Sequence, residues 1–186
     1  MLFRHSYRTP DGLSDIVMLS DGHALTGLHF IGTGAVAMGA SDCEATDISP
    51  FREACRWLDI YFSGCRPDFT PPYRLVGATP FREEVVREML KIPFGATTTY
   101  GEIAAKVAAR RGLARMSAQA VGGAVGWNPI CLVIPCHRVM GAHGAITGYG
   151  GGIQNKAALL AHESFVLSRG SLPRQARIWY TIKQHG

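Results

Sequence analysis

Residues 66–73, RPDFTPPY, carry three prolines. Proline has no backbone N–H to donate and its ring fixes φ, so neither a helix nor a central strand can run through this stretch. A chain of 186 residues interrupted there is expected to fold as two parts, each able to bury a core. The sequence predicts an α+β unit over residues 1–72, a linker over 73–78, a second and mostly helical unit over 79–166, and a basic tail over 167–186.

Before the linker, residues 14–19 and 25–31 read as short strands joined by a turn at Asp21 and Gly22. Ser49 and Pro50 look like a helix start, with serine as the cap and proline in the first turn. Phe51, Cys55, Leu58 and Phe62 then follow at helical spacing, and Gly64 is the expected stop.

After the linker, Thr79 and Pro80 open a helix with an apolar face of Phe81, Val85, Val86, Met89 and Leu90, ended by Ile92 and Pro93. Thr99 and Glu102 form a capping box for a helix running to about Arg111 and stopping at Gly112. Ser117 can cap a further helix over 118–125, with Gly126 after it. Two helices so close together suit a helix-turn-helix, and equally a plain helical hairpin within a core. Ala118, Ala120, Gly122, Gly123 and Ala124 give the second helix a thin surface. Glycine costs about 1 kcal/mol inside a helix, so two in succession imply close approach, by a neighbouring helix or by a nucleic-acid groove. Residues 130–134 (ICLVI) read as a buried strand, residues 148–152 (GYGGG) as a flexible loop, and residues 153–163 as a final helix.

The function classes are narrowed by charge and cysteines. Nineteen basic residues against fourteen acidic ones leave a net charge of +5, which favours polyanionic partners. Five cysteines, an odd number, contain no CxxC pair, which argues against a disulfide framework and against a cysteine-cluster zinc site. His5, His23 and His29 have no metal-ligand spacing. The first residues lack the apolar core of a signal peptide, and no apolar run is long enough to span a bilayer. A soluble, cytoplasmic protein is expected, with no metal and no membrane partner.

Chemistry concentrates at Pro135-Cys136-His137-Arg138. A thiolate is a far better nucleophile than a thiol, so a reactive cysteine needs neighbours that favour its ionised form. Arg138 offers positive charge and His137 a proton acceptor. Neighbours on an extended chain point opposite ways, so a bridging water suits better than direct contact. The plain alternative is a buried structural cysteine beside a surface histidine. Cys131 reads as packing, inside the strand with no polar companion, and Cys43, Cys55 and Cys65 likewise.

The blocks Thr99-Tyr100-Gly101-Glu102-Ile103-Ala104, Ala120-Val121-Gly122-Gly123-Ala124, Asn128-Pro129, Ile134-Pro135-Cys136-His137-Arg138-Val139 and Gly148-Tyr149-Gly150-Gly151-Gly152 occur in this order. In order and spacing, residues 79–165 resemble the methylated-DNA–protein-cysteine methyltransferases, the O6-alkylguanine-DNA alkyltransferases. The N-terminal part resembles that family's smaller α+β domain more loosely. The resemblance implies a ribonuclease-H-like first domain and a winged helix-turn-helix second domain. It implies a monomer that binds double-stranded DNA from the minor groove, flips out O6-alkylguanine or O4-alkylthymine, and takes the alkyl group once, without cofactor.

The same resemblance assigns roles. Cys136 is the implied acceptor, His137 the base acting through water, and Glu163 the group that orients and charges the imidazole. Asn128 ties the turn before the active-site segment, and Tyr100 donates to the leaving base. Tyr149 walls the base pocket, the Gly150 N–H faces the base oxygen, and the Cys136 and Val139 carbonyls accept from the exocyclic amine. Ala120, Gly122 and Gly123 line the DNA face, with Arg138 counted among the substrate and DNA contacts. Phosphate contacts fall to Lys106, Arg110, Arg111 and Arg115. Gln119 stands where many relatives carry an arginine that fills the gap left by the flipped base, and residues 106–117 are longer than the turn of some relatives. Trp127 reads as core packing. Two rival functions remain: a non-catalytic binder of alkylated DNA, disfavoured by the presence of Cys136, and a Cys-His-Glu hydrolase on an unrelated fold.

Overall fold

The structure is a computed structural model that describes residues 2–33, 43–44 and 47–168. The tail expected over 167–186 lies outside the described residues except for its first two positions, and Cys43 is described by its backbone alone.

The fold is α+β. Strands β1 (Phe3–Tyr7), β2 (Ile16–Ser20) and β3 (Leu25–Phe30) form an antiparallel ladder in the order β3-β2-β1, and β4 (Cys43–Glu44) adds to β1 in parallel. The central strand β2 reads IVMLS, and its Ile16, Val17 and Met18 are all buried, as a strand covered on both faces requires. Strand β1 escapes the sequence reading because its FRHSY run is polar and half-exposed. Helix α1 (Ser49–Phe62) lays Phe51, Ala54, Leu58 and Tyr61 into the core. Its N-cap is Ile48 and carries no side-chain hydrogen bond. Ser49, expected as the cap, is instead the first helical residue and donates its hydroxyl to Glu53 at 3.0 Å. Pro50 does lie in the first turn, where the free N–H groups make proline tolerable, and Gly64 follows the helix with φ +86°.

No helix crosses the proline-rich stretch, but its end is docked. Leu25 N–H donates to Pro72 O at 2.8 Å and Arg74 N–H to Leu25 O at 2.8 Å. Proline can accept in such a bridge though it cannot donate. Further along β3, Leu28 N–H donates to Pro129 O at 2.8 Å and Leu28 O accepts from Cys131 N–H at 2.9 Å. The free edge of the N-terminal sheet thereby fixes the segment on which the reactive cysteine is carried.

Helices α2 (Pro80–Met89), α3 (Tyr100–Arg110) and α4 (Ala118–Gly126) pack around Val85, Val86, Met89, Ile103, Val107, Val121 and Val125. Burying each such side chain contributes about 1.5–3 kcal/mol. The expected starts are all present. Thr79 accepts from Arg82 N–H at 3.3 Å, Ser117 from Ala120 N–H at 3.3 Å, and Thr99 and Glu102 complete a reciprocal capping box at 3.1 and 2.8 Å. Helix α2 stops at Met89, three residues before Ile92, and α4 includes Gly126 as its last residue. Helix α5 (Ile153–Ser168) runs five residues past the expected end at 163.

Residues 130–134 do not form a strand. Ile130 makes one parallel bridge to Leu28, and the chain then turns, with Leu132 at φ +69° and Ile134 N–H donating back to Ile130 O at 3.1 Å. The segment is buried as its apolar sequence demands, but burial alone does not distinguish a strand from an internally bonded turn. Cys136–Arg138 then form a single 3-10 turn, followed by β6 (Val139–Met140), which pairs in parallel with β5 (Thr98–Thr99). Among the described residues no helix is long and apolar enough to cross a membrane.

Candidate active site

One side chain organises the turn. Asn128 accepts from Ile130 N–H at 3.0 Å, and its carboxamide nitrogen donates to Ile134 O at 2.9 Å and to Cys136 Sγ at 2.9 Å, with Ile130 O at 3.4 Å. These bonds satisfy backbone groups that a strand would have paired with a neighbour, which is why the turn can lie in the interior. Cys136 is only 3% exposed, yet it borders a pocket of about 360 Å³ that also touches Asn128, Cys131, His29, Gly150 and Trp127.

The thiol of Cys136 is held below its usual range. The largest cause is the neighbouring Cys131 thiol, and the Asn128 amide, 2.9 Å from the sulfur, and the Tyr149 phenol add to it against the opposing effect of burial. Cys131 is pushed well above the usual range by the neighbouring Cys136 thiol and by burial. Cys131 is buried in the core and borders the same pocket as Cys136. The reading of Arg138 is corrected. Its guanidinium donates to Glu163 at 2.9 Å from Nε and 2.8 Å from Nη2, and to Ile92 O at 2.9 Å. It is buried in this ion pair, so it neither supplies free charge to the sulfur nor reaches out to DNA.

Glu163 joins four partners. Besides Arg138 it accepts from Tyr61 Oη at 3.0 Å and Gly95 N–H at 2.8 Å, and it lies 2.8 Å from His137 Nε2. Burial pushes the carboxyl up, but His137 and Arg138 outweigh it and bring it down to about 2. His137 is fully buried, and burial holds it below its usual range although Glu163 pulls the other way. The imidazole is thus neutral rather than charged. A neutral ring that donates from Nε2 keeps its lone pair on Nδ1, and Nδ1 makes no hydrogen bond among the described residues.

Tyr100, at the start of α3, donates to Gly148 O at 3.1 Å, and Tyr149 has its phenol oxygen buried beside the two thiols. A Cβ on Gly151 would require the rings of Tyr149 and Phe30 to shift. A Cβ on Gly150 would stand 3.2 Å from Gly126 O. Val139 O already accepts from Lys156 Nζ at 2.6 Å, leaving one lone pair for a ligand. Lys156, which the sequence reading missed, is fully buried. It also donates to Thr147 O at 3.0 Å and lies over the rings of Tyr100 and Tyr149 at 5.9 and 6.0 Å. The signal was present: Lys156, Leu159 and Glu163 fall on one face of α5 at helical spacing.

On α4, Gln119, Ala120 and Gly123 are exposed, nothing among the described residues lies within 4 Å of a Cβ built on Gly123, and a Cβ on Gly122 would stand 3.9 Å from the Tyr100 ring. Of the thin surface, Ala118, Ala120 and Gly123 face outward, whereas Ala124 is buried in the core. Of the expected phosphate contacts, Arg110 is paired with Glu88 and Arg111 with Glu84 at 2.9 and 3.1 Å. Both tie α3 to α2. Lys106 and Arg115 are exposed, and among the described residues neither takes part in an ion pair. Trp127 is half-buried beside the pocket, with the Arg82 guanidinium 4.6 Å from its ring. Among the described residues no three potential metal ligands gather.

Comparison with known proteins agrees with this arrangement. Residues 80–165 match the family model described as 6-O-methylguanine DNA methyltransferase, DNA binding domain. The methylated-DNA–protein-cysteine methyltransferase of Mycobacterium tuberculosis is 45% identical over 117 residues, 63% of this chain and 67% of that protein. The protein of that name from Salmonella typhimurium is 45% identical over 110 residues, 59% and 61% of the two chains. Among solved structures, M. tuberculosis O6-methylguanine methyltransferase superposes with a TM-score of 0.74 at 35% identity, covering 94% of this chain and 98% of that one. M. tuberculosis OGT in complex with DNA gives 0.73 at 35% identity, covering 88% and 94%.

Proposed function

The chain belongs to the O6-methylguanine DNA methyltransferase family, and on that premise we propose that it repairs O6-alkylguanine in DNA by taking the alkyl group onto Cys136. The observation that carries this reading is the sulfur itself, held below the usual thiol range and bonded by Asn128 at 2.9 Å at the wall of an open pocket.

Neutral His137 takes the Cys136 proton through a water at Nδ1, and Glu163 fixes the ring by accepting from Nε2. The thiolate attacks the alkyl carbon. A carbon–sulfur bond forms, the carbon–oxygen bond breaks, and its electron pair passes to the purine, which Tyr100 assists by donating from its phenol. A thioether resists hydrolysis, so each molecule acts once. The reaction balances without a metal or a diffusible cofactor. Gly150 N–H and the Cys136 and Val139 carbonyls read the base, with Tyr149 as a wall of the pocket.

A base inside the duplex cannot present its O6 substituent to this pocket, so the nucleotide must be flipped out, at a cost of a few kcal/mol that is smaller for a mispaired lesion. The outward face of α4, with Gln119, Ala120, Gly122 and Gly123, enters the minor groove, and Gln119 fills the space left by the base. Lys106 and Arg115 contact phosphates. The protein acts as a cytoplasmic monomer and accepts O4-alkylthymine as a second substrate. The test is incubation with a duplex bearing O6-methylguanine. Wild-type protein should gain one methyl group and restore guanine, Cys136→Ala should do neither, and a lesion left intact by wild-type protein would end the proposal.

A further inference from the structure

Tyr61 is carried by α1, yet its hydroxyl ends on the carboxylate that faces the imidazole. The residue is fully buried. Its ring is held among Trp57 at 5.4 Å, Phe62 at 5.2 Å, Phe94 at 5.8 Å and His162 at 5.2 Å, centroid to centroid. Its Oη donates to Glu163 Oε1 at 3.0 Å. The same oxygen lies 2.8 Å from His137 Nε2 and accepts from Arg138 Nη2 at 2.8 Å. The other oxygen, Oε2, accepts from Arg138 Nε at 2.9 Å and from Gly95 N–H at 2.8 Å. Tyr61 and His137 therefore draw on one acceptor atom. Burial and the adjacent carboxylate push the Tyr61 phenol well above its usual range, so it remains a donor.

We propose that Tyr61 is a positioning residue of the alkyl transfer: its hydroxyl fixes Glu163 Oε1 opposite the imidazole of His137 and limits the charge that this oxygen offers the ring. This rests on the alkyltransferase reading given above. His137 can take the Cys136 proton only while it is neutral. A carboxylate oxygen shared with no other donor would favour the imidazolium, by charge and by hydrogen bonding. A donor on that oxygen takes up part of its charge and keeps the proton-accepting ring available at lower pH. The other groups that face His137 and Glu163 are Arg138 from the same turn, Lys156 from α5 and Cys136, the preceding residue. His162 of α5 packs on the Tyr61 ring and lies 2.8 Å from the Tyr61 carbonyl oxygen. A change confined to the Tyr61 hydroxyl leaves all of these in place.

Tyr61→Phe removes the hydroxyl, keeps the ring and gives the oxygen back to His137. The imidazole then holds a proton more firmly, and the acid limb of the transfer rate moves to higher pH. A displacement of about half a unit to one unit is expected, because Arg138 and Gly95 take up part of what Tyr61 gives up. On the limb this is about three- to tenfold slower transfer. Replacing Tyr61 by 3-fluorotyrosine, whose more acidic phenol donates more strongly, should move the limb the opposite way. A defect of folding alone does not displace the limb in opposite directions.

The experiment is the pH–rate profile of single-turnover methyl transfer for wild type, Tyr61→Phe, the protein with 3-fluorotyrosine at position 61, and Trp57→Phe. The last disturbs the same ring stack and leaves the bonds to Glu163 in place. The acid limb should move up for Tyr61→Phe, down for 3-fluorotyrosine, and stay where it is for Trp57→Phe. An unmoved limb in Tyr61→Phe, displacements of the same sign in both changes at position 61, or an equal displacement in Trp57→Phe would overturn the proposal. Proton NMR of the unreacted proteins gives a check that needs no DNA. The His137 Nε2 proton should move downfield in Tyr61→Phe, as its bond to Glu163 tightens, and upfield with 3-fluorotyrosine. A resonance in the same place in all three proteins would overturn the proposal. Absence of methyl transfer by wild-type protein with those displacements intact would instead count against the alkyltransferase reading.

Discussion

Asn128 reaches eight residues along the chain to donate a hydrogen bond to the sulfur of Cys136 at 2.9 Å, while the same amide group ties Ile130 and Ile134. The tie and the reactive site are therefore one structure. Asn128→Ala would strand Ile130 N–H in the interior, at about 1–3 kcal/mol, leave Ile134 O with the Cys136 N–H as its remaining donor, and remove one donor from the Cys136 sulfur. Both the denaturant midpoint and the transfer rate should fall. A variant that loses stability while keeping the wild-type pH–rate profile would show that Asn128 acts on the fold alone.

The sharing of Glu163 between His137 and Arg138 makes the fold sensitive to acid. Its folded value, about 2, lies below the ordinary 4.5, so the ionised carboxylate stabilises the fold above that ordinary value, and the contribution is lost as pH falls toward the folded one. His137 adds in the same direction. The fold holds it neutral against an ordinary value of 6.5, so stability declines below 6.5 as the unfolded chain takes up a proton. Chemical denaturation against pH should show this falling limb. Glu163→Gln should flatten its lower part and cost about 3–5 kcal/mol at neutral pH, because Arg138 is left buried without its partner.

The outward face of α4 offers a test in which stability and binding move oppositely. Gly123→Ala adds a methyl group to open space and should stabilise the free protein by up to about 1 kcal/mol through helix propensity. If the face lies against a groove, the same methyl group weakens binding to duplex DNA. Thermal melting and fluorescence anisotropy measure the two effects, and a raised melting temperature with unchanged affinity would place DNA elsewhere.

Salt dependence separates the basic residues. Lys106→Ala and Arg115→Ala should each reduce the slope of log affinity against log salt by about one. Arg110→Ala and Arg111→Ala remove the ties of α3 to Glu88 and Glu84 and should change stability more than that slope.

Much of this was legible in the sequence because it is local. The capping box at Thr99 and Glu102, the caps at Thr79 and Ser117, and the stops at Gly64 and Gly112 depend on neighbours within a few residues. Cys136 and His137 stood out by their motif. What depends on distant chain was not legible. The apolar run at 130–134 gives the same signal for a strand and for a turn bonded through Asn128, so the tie from Asn128 to Cys136 stayed hidden. Arg138 and Arg111 look like free charges until Glu163 and Glu84 are placed beside them. Ser49 resembles a cap, but the helix starts at it and not after it.

The central claim is that Cys136 takes the alkyl group and keeps it. Intact and peptide mass measurement after incubation with an excess of O6-methylguanine duplex tests this directly. One methyl group per protein molecule is expected, located on the peptide that carries Cys136, with repair stopping at one lesion per molecule. Continued turnover, or a methyl group found on any other residue, would contradict it.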